Sequence, residues 1–103
     1  MIERFTGGGG SSNKAKVPQK ALDVADDVLS KNGVPPQGYK GGRVFRNDAC
    51  AGGQQLPNGV NYKEYDVNPF VNGQNRGTER IVIGDNGSVW YTNDHYTTFT
   101  QIK

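Results

Sequence analysis

The chain has 103 residues, 33% of them apolar, with 15 glycines and a single cysteine. That length holds one small domain around one core and excludes a second fold. Twelve Lys and Arg against ten Asp and Glu leave a net charge of +2, which permits RNA binding but lacks the dense basic block of a bulk polyanion binder.

Met1 to Thr6 lack the apolar centre of a signal peptide, and no stretch approaches the length of a membrane span. Gly7 to Gly10 with Ser11 and Ser12 have a flexible-linker composition. Residues 1–16 therefore read as a flexible leader or linker and 17–103 as the domain. From Pro18 the pattern turns helical, with Ala21, Leu22, Ala25, Val28 and Leu29 at three- and four-residue spacing and Gly33 as the stop. Such an apolar stripe packs on a sheet, so no chemistry is assigned to it. Gly38 to Gly42 leave a short second helix or a loop open.

Beyond that point the chain reads as strands: Arg43 to Arg46, Asn61 to Asn68, Glu79 to Ile83, Val89 to Thr92 and Thr97 to Ile102. Gly84-Asp85-Asn86-Gly87 marks a hairpin turn. The expected fold class is α+β, an N-terminal helix on an antiparallel sheet. Alternation puts Tyr62, Glu64 and Asp66 on one face of their strand and Lys63, Tyr65 and Val67 on the other. If Ile81 and Ile83 face the helix, Arg80 faces the open side, where Glu64 could meet it across the ladder.

Cys50 is the only cysteine, so no internal disulfide and no thiolate zinc site can be built, and the fold must stand on packing. Nothing near it resembles a Cys-His pair, and Cys50 is read as a spectator. No metal site and no cofactor are expected.

The order and spacing of Glu64, Arg76, Arg80 and His95 suit metal-free RNA cleavage. Transfer of a ribose 2′-hydroxyl onto its own phosphate needs a base, an acid and cations around the phosphorus, and these four residues supply all three. Two plainer readings stand beside this one. Glu64 and Arg80 could be an ordinary cross-strand ion pair, worth little, and a lone histidine in a turn is usually a surface residue.

Three segments tip the balance: Tyr62-Lys63-Glu64-Tyr65-Asp66-Val67, Arg76-Gly77-Thr78-Glu79-Arg80-Ile81-Val82, and Thr92-Asn93-Asp94-His95-Tyr96-Thr97-Thr98-Phe99. With Gly42-Arg43-Val44-Phe45-Arg46-Asn47 and Leu56-Pro57 upstream, the chain from Val17 to Lys103 resembles the barnase-like small bacterial guanyl-preferring ribonucleases. The resemblance implies the microbial ribonuclease fold, with Glu64 as general base, protonated His95 as general acid, and Arg76 and Arg80 stabilising the five-coordinate phosphorus. It also implies that Tyr96 contacts the phosphate. Lys63 is a further candidate there, on weaker grounds.

Base recognition departs from the family pattern. Where the family carries a guanine-reading glutamate two residues after the asparagine of its Phe-x-Asn turn, this chain has Ala49, and the loop to Leu56-Pro57 is longer. Phe45, with the backbone around Arg46 and Asn47, could hold a base by stacking and amide hydrogen bonds, and Asp48 is the candidate substitute for the glutamate.

The expected substrate is single-stranded RNA. An acidic immunity protein, complementary to Arg43, Arg46, Arg76 and Arg80, is the expected partner. The glycine-rich leader suggests the C-terminal toxin domain of a larger protein, secreted or delivered by its producer and acting in the target-cell cytoplasm. The alternatives are a stand-alone secreted nuclease, a noncatalytic RNA-binding module, and a structural domain with a salt-bridge network.

Overall fold

A computed structural model describes residues 17–48 and 53–103; the expectations for residues 1–16, Ala49 and Cys50 lie outside them. The described residues form helix α1 (Gln19–Ser30), then strands β1 (Gly41–Phe45), β2 (Tyr62–Asp66), β3 (Arg80–Gly84), β4 (Val89–Thr92) and β5 (Thr100–Gln101). The strands make one sheet in the order β1-β2-β3-β4-β5, each antiparallel to the next. This is the expected α+β arrangement.

Helix α1 buries Ala21, Leu22, Val24, Ala25 and Val28, a single face at helical spacing that takes in Val24 beyond the expected stripe. Asn32 and Gly33 adopt φ of 58° and 93°, and the Gly33 N–H donates to Val28 O at 2.9 Å. This left-handed close satisfies a carbonyl that the helix end would otherwise orphan. The stripe packs on Tyr65, Val67, Ile81, Val89, Tyr91 and Ile102. Each such aliphatic or aromatic side chain contributes roughly 1.5–3 kcal/mol when fully withdrawn from water.

The opposite face of the sheet carries a smaller cluster: Leu56, Tyr62 and Val82, with Phe45, Val60, Trp90, Tyr96 and Phe99 against them. Strand alternation divides β2 as expected, Tyr65 to the helix and Tyr62, Glu64 and Asp66 to the other side.

The hairpin forms at the expected place, with the Gly84 N–H donating to Ser88 O at 2.9 Å and Gly87 at a φ of 88°. Three expectations shift. No helix forms at 38–42, where β1 already begins at Gly41. β2 ends at Asp66, short of Asn68. β5 covers Thr100–Gln101 alone, because the N–H groups of Thr97 and Thr98 donate to the Asp94 carboxylate and that of Phe99 to the Gln54 side chain, leaving none for the ladder there.

Candidate active site

Charged side chains gather on the sheet face away from α1, around Glu64 and Asp66 of β2 and Arg80 of β3. Asp66 lies at the centre, fully buried. Its Oδ1 is 3.0 Å from Arg80 Nε, and its Oδ2 accepts from Arg76 Nη1 at 3.1 Å. Arg80 is itself 4% exposed, and its Nη1 donates to Gly77 O at 3.0 Å and to Glu79 O at 2.7 Å. A guanidinium this deep is tolerable only with a carboxylate and acceptors around it.

The expected Glu64–Arg80 pair across the ladder does not form. The register sets Arg80 opposite Asp66 and Glu64 opposite Val82, so Asp66 takes the guanidinium. Glu64 instead accepts from Arg43 Nη2 at 3.3 Å and from the Tyr96 hydroxyl in a short hydrogen bond. Three guanidinium groups thus face two carboxylates on one surface, leaving one excess positive charge.

Arg43 reaches this face through a β-bulge. Gly41 pairs with Tyr65 and Arg43 with Glu64, so Gly42, at a φ of 88°, is the extra residue. Without it Arg43 would fall opposite Lys63 and point toward the helix side. Asp66 did not stand out as a site residue in the sequence, although its two-residue spacing from Glu64 was a usable signal. Arg43 was expected only on the face an inhibitor would cover; its contact with Glu64 had no signal, because a bulge depends on the partner strand.

His95 is exposed, at the head of a turn built by Asp94. The Asp94 carboxylate accepts from Thr92 Oγ1 at 2.8 Å, Thr97 N at 3.1 Å, Thr98 N at 2.9 Å and Thr98 Oγ1 at 2.6 Å. Desolvation pushes this carboxyl up, but the hydrogen bonds from Thr98, Thr92 and Thr97 outweigh it and hold its pKa below the usual value. His95 and Tyr96 have φ of 56° and 77°, a left-handed pair that the turn must over-determine. The two ring centroids lie 4.7 Å apart, so Tyr96 touches both the imidazole and Glu64.

Burial, then the hydrogen bond to Glu64 and its charge, push the Tyr96 phenol far above its ordinary value, with Arg80 and Arg43 pulling the other way. The hydroxyl remains a donor. A second network fixes the arginine segment from the helix side. Glu79 lies 2.8 Å from Lys20 Nζ and accepts from Tyr91 OH at 2.6 Å, while Asn68 Nδ2 donates to Arg76 O at 3.4 Å. Desolvation raises the Glu79 pKa, and the bonds from Lys20, Tyr91 and Asn68 lower it by more.

Phe45, at the end of β1, packs its ring 4.9 Å from Tyr96 and 5.8 Å from Phe99, forming an aromatic wall beside Glu64. Arg46 and Asp48 are exposed, and Asn47 is buried with a φ of 56°. The Asn47 amide is consumed by Leu56, donating to its O at 2.8 Å and accepting from its N at 2.7 Å. Asn47 therefore holds the turn's shape with its side chain, and only its backbone is left to meet a ligand.

Lys63 is not brought to the site. It pairs with Val44 and Ile83 on the helix side, where it lines an apolar cavity of about 460 Å³ with Val28, Leu29 and Tyr65. Period-two alternation separates it from its neighbour Glu64. Among the described residues, no group of three or more His, Cys, Asp and Glu is placed to hold a metal ion, and no helix is long and apolar enough to cross a membrane.

The chain and its fold have known counterparts. The family profile described as ribonuclease matches residues 4–103. The chain belongs to the ribonuclease family. It is 36% identical over 90 residues to guanyl-specific ribonuclease St from Saccharopolyspora erythraea, a match covering 82% of this chain and 79% of that one. Among solved structures, this ribonuclease is similar to ribonuclease Sa2 in its crystal structure with guanosine-2′-cyclophosphate, at 34% identity and a TM-score of 0.60, covering 86% of this chain and 90% of that chain. A second Sa2 structure, with exo-2′,3′-cyclophosphorotioate, matches at the same identity and TM-score.

Proposed function

We propose that this ribonuclease cleaves single-stranded RNA internally by transphosphorylation with a preference for guanine. The observation that carries the reading is the single sheet face on which Glu64, held by Arg43 and Tyr96, lies beside the Asp66-anchored Arg76 and Arg80, with His95 one residue from Tyr96. Relatives add support: one is named guanyl-specific, and another is solved with guanosine-2′-cyclophosphate and with exo-2′,3′-cyclophosphorotioate.

In the first step Glu64 takes the proton of the 2′-hydroxyl, and the 2′-oxygen attacks phosphorus. The bond from phosphorus to the 5′-oxygen breaks, and His95 protonates that leaving oxygen, giving a 2′,3′-cyclic phosphate. Water then opens the ring to a 3′-phosphate with the two roles reversed. Arg76, Arg80 and Arg43 supply the positive field in which charge builds on the equatorial oxygens. Tyr96, held protonated, donates to Glu64 in the free enzyme and in the proposed reaction turns its hydroxyl to the phosphate.

Phe45 offers a stacking surface for the base, and the backbone of Arg46 and Asn47 offers hydrogen-bonding groups beside it. Asp48 is the carboxylate nearest in sequence to the absent glutamate. Single-stranded RNA incubated in chelator should be cut to 2′,3′-cyclic and then 3′-phosphate ends, while 2′-deoxy substrate stays intact. Cleavage of the deoxy substrate at a comparable rate, or activity that chelator abolishes and magnesium restores, rejects the mechanism.

The biological setting we propose is that of a toxin domain, secreted or delivered by its producer and acting in the cytoplasm of a target cell. An acidic immunity protein would cover the arginine-rich face in the producer, with association that is fast and salt-sensitive. Expressing residues 17–103 alone in a bacterium should arrest growth. Normal growth of cells that yield fully active protein would remove the toxin reading and favour a stand-alone secreted nuclease.

A further inference from the structure

Gln54 and Gln55 are consecutive, and their side chains hold opposite walls of the site. Gln55 Nε2 donates to Asn47 O at 3.0 Å, bracing the left-handed turn that follows Phe45. Gln54 braces the other wall. Its N–H donates to Thr97 O at 2.7 Å, and its Oε1 accepts from Phe99 N at 3.1 Å. Those acceptor and donor groups belong to the segment directly after His95 and Tyr96.

The contact is close as well as hydrogen-bonded. A Cβ at Gly53 would stand 2.8 Å from Tyr96 O and 3.1 Å from the Thr97 Cα, so a side chain there would push the two segments apart. Leu56 completes the strap through its reciprocal bonds with the Asn47 amide. Residues 53–56 are thus bonded at one end to the turn offered to the base and at the other to the turn that carries the proposed acid. Covalent continuity between those two sets of bonds gives a short mechanical path.

We infer that Gln54 is a specificity-determining positioning residue, coupling occupancy of the base site to the placement of His95. This rests on the transphosphorylation reading above. A base that fits the Phe45–Asn47 turn settles the strap, and the strap settles the His95 turn, so discrimination between bases appears in kcat and not in KM.

The experiment compares guanylyl-3′,5′-cytidine with adenylyl-3′,5′-cytidine in the unaltered domain and in Gln54→Ala and Gln54→Glu, each checked for folding by thermal melting. Gln54→Ala should lower the guanine-to-adenine ratio of kcat about threefold to tenfold, the scale of losing its one side-chain hydrogen bond. Both KM values should stay within about twofold. Gln54→Glu, which keeps an acceptor for Phe99 N, should restore most of the ratio.

A second readout needs no turnover. Guanosine, which has no phosphate to touch His95, should shift the His95 ring resonances of the unaltered domain and leave those of Gln54→Ala unmoved. An equal fall in kcat for both dinucleotides, a change confined to KM, or a guanosine-induced His95 shift that persists in Gln54→Ala overturns the coupling. Absence of guanine preference in the unaltered domain overturns it too. If the unaltered domain cleaves neither dinucleotide nor RNA, the ribonuclease mechanism itself has failed; normal cleavage with an unchanged ratio removes the coupling alone.

Discussion

Glu64→Ala and His95→Ala should each lower the RNA-cleavage rate by about 10²- to 10⁴-fold, the usual cost of losing a general base or acid. The unaltered enzyme should show a bell-shaped pH profile for transphosphorylation, since one group must be deprotonated and the other protonated. The base is assigned to Glu64 and the acid to His95. The structure makes the two substitutions differ in their side effects. Glu64 is clasped by Arg43 and Tyr96, so its removal also leaves two donors without their acceptor, whereas His95 is exposed on its turn. His95→Ala should therefore melt near the unaltered protein. An alkaline limb that survives unchanged in His95→Ala would assign the acid to another group.

Asp66→Ala should be the most destabilising change at the site. Its carboxylate is fully buried between Arg80 and Arg76, and removing one member of such a set leaves buried positive charge unpaired, at a cost of about 3–5 kcal/mol. Urea unfolding should show the midpoint falling with an unchanged slope. Asp66→Asn keeps the shape and loses the charge, so it should fold better than the alanine variant yet cleave RNA slowly, because both guanidinium groups lose their anchor. Unfolding within about 1 kcal/mol of the unaltered protein, together with full activity in Asp66→Asn, would show that the arginines are positioned by other contacts.

The departures from the sequence reading have one pattern. Strand existence and the β3–β4 hairpin were readable, yet the partner of Arg80 was expected two residues away, at Glu64 rather than Asp66. Alternation gives the face of a side chain; it does not give the residue opposite. Lys63 shows the other side of that rule, since alternation alone would have removed it from the Glu64 face. For 97–102 a strand was expected and only Thr100–Gln101 pair; Asp94 and Gln54 compete for the backbone N–H groups before them, and such competition is visible only once the chain is folded.

By itself the sequence determined a helix of one apolar face, a hairpin at Gly84–Gly87, and a set of residue types at Glu64, Arg76, Arg80 and His95 suited to phosphoryl chemistry. These are short-range properties, set by periods of 3.6 and 2 and by the conformational freedom of a few glycines. The tertiary structure alone decided that Asp66 is the hub of the arginines, that a bulge at Gly42 turns Arg43 toward Glu64, that Tyr96 donates to Glu64, and that Gln54 reaches Phe99. Each of these depends on the register between segments far apart in the chain, and register is fixed by the burial of a whole sheet face rather than by any local run of residues.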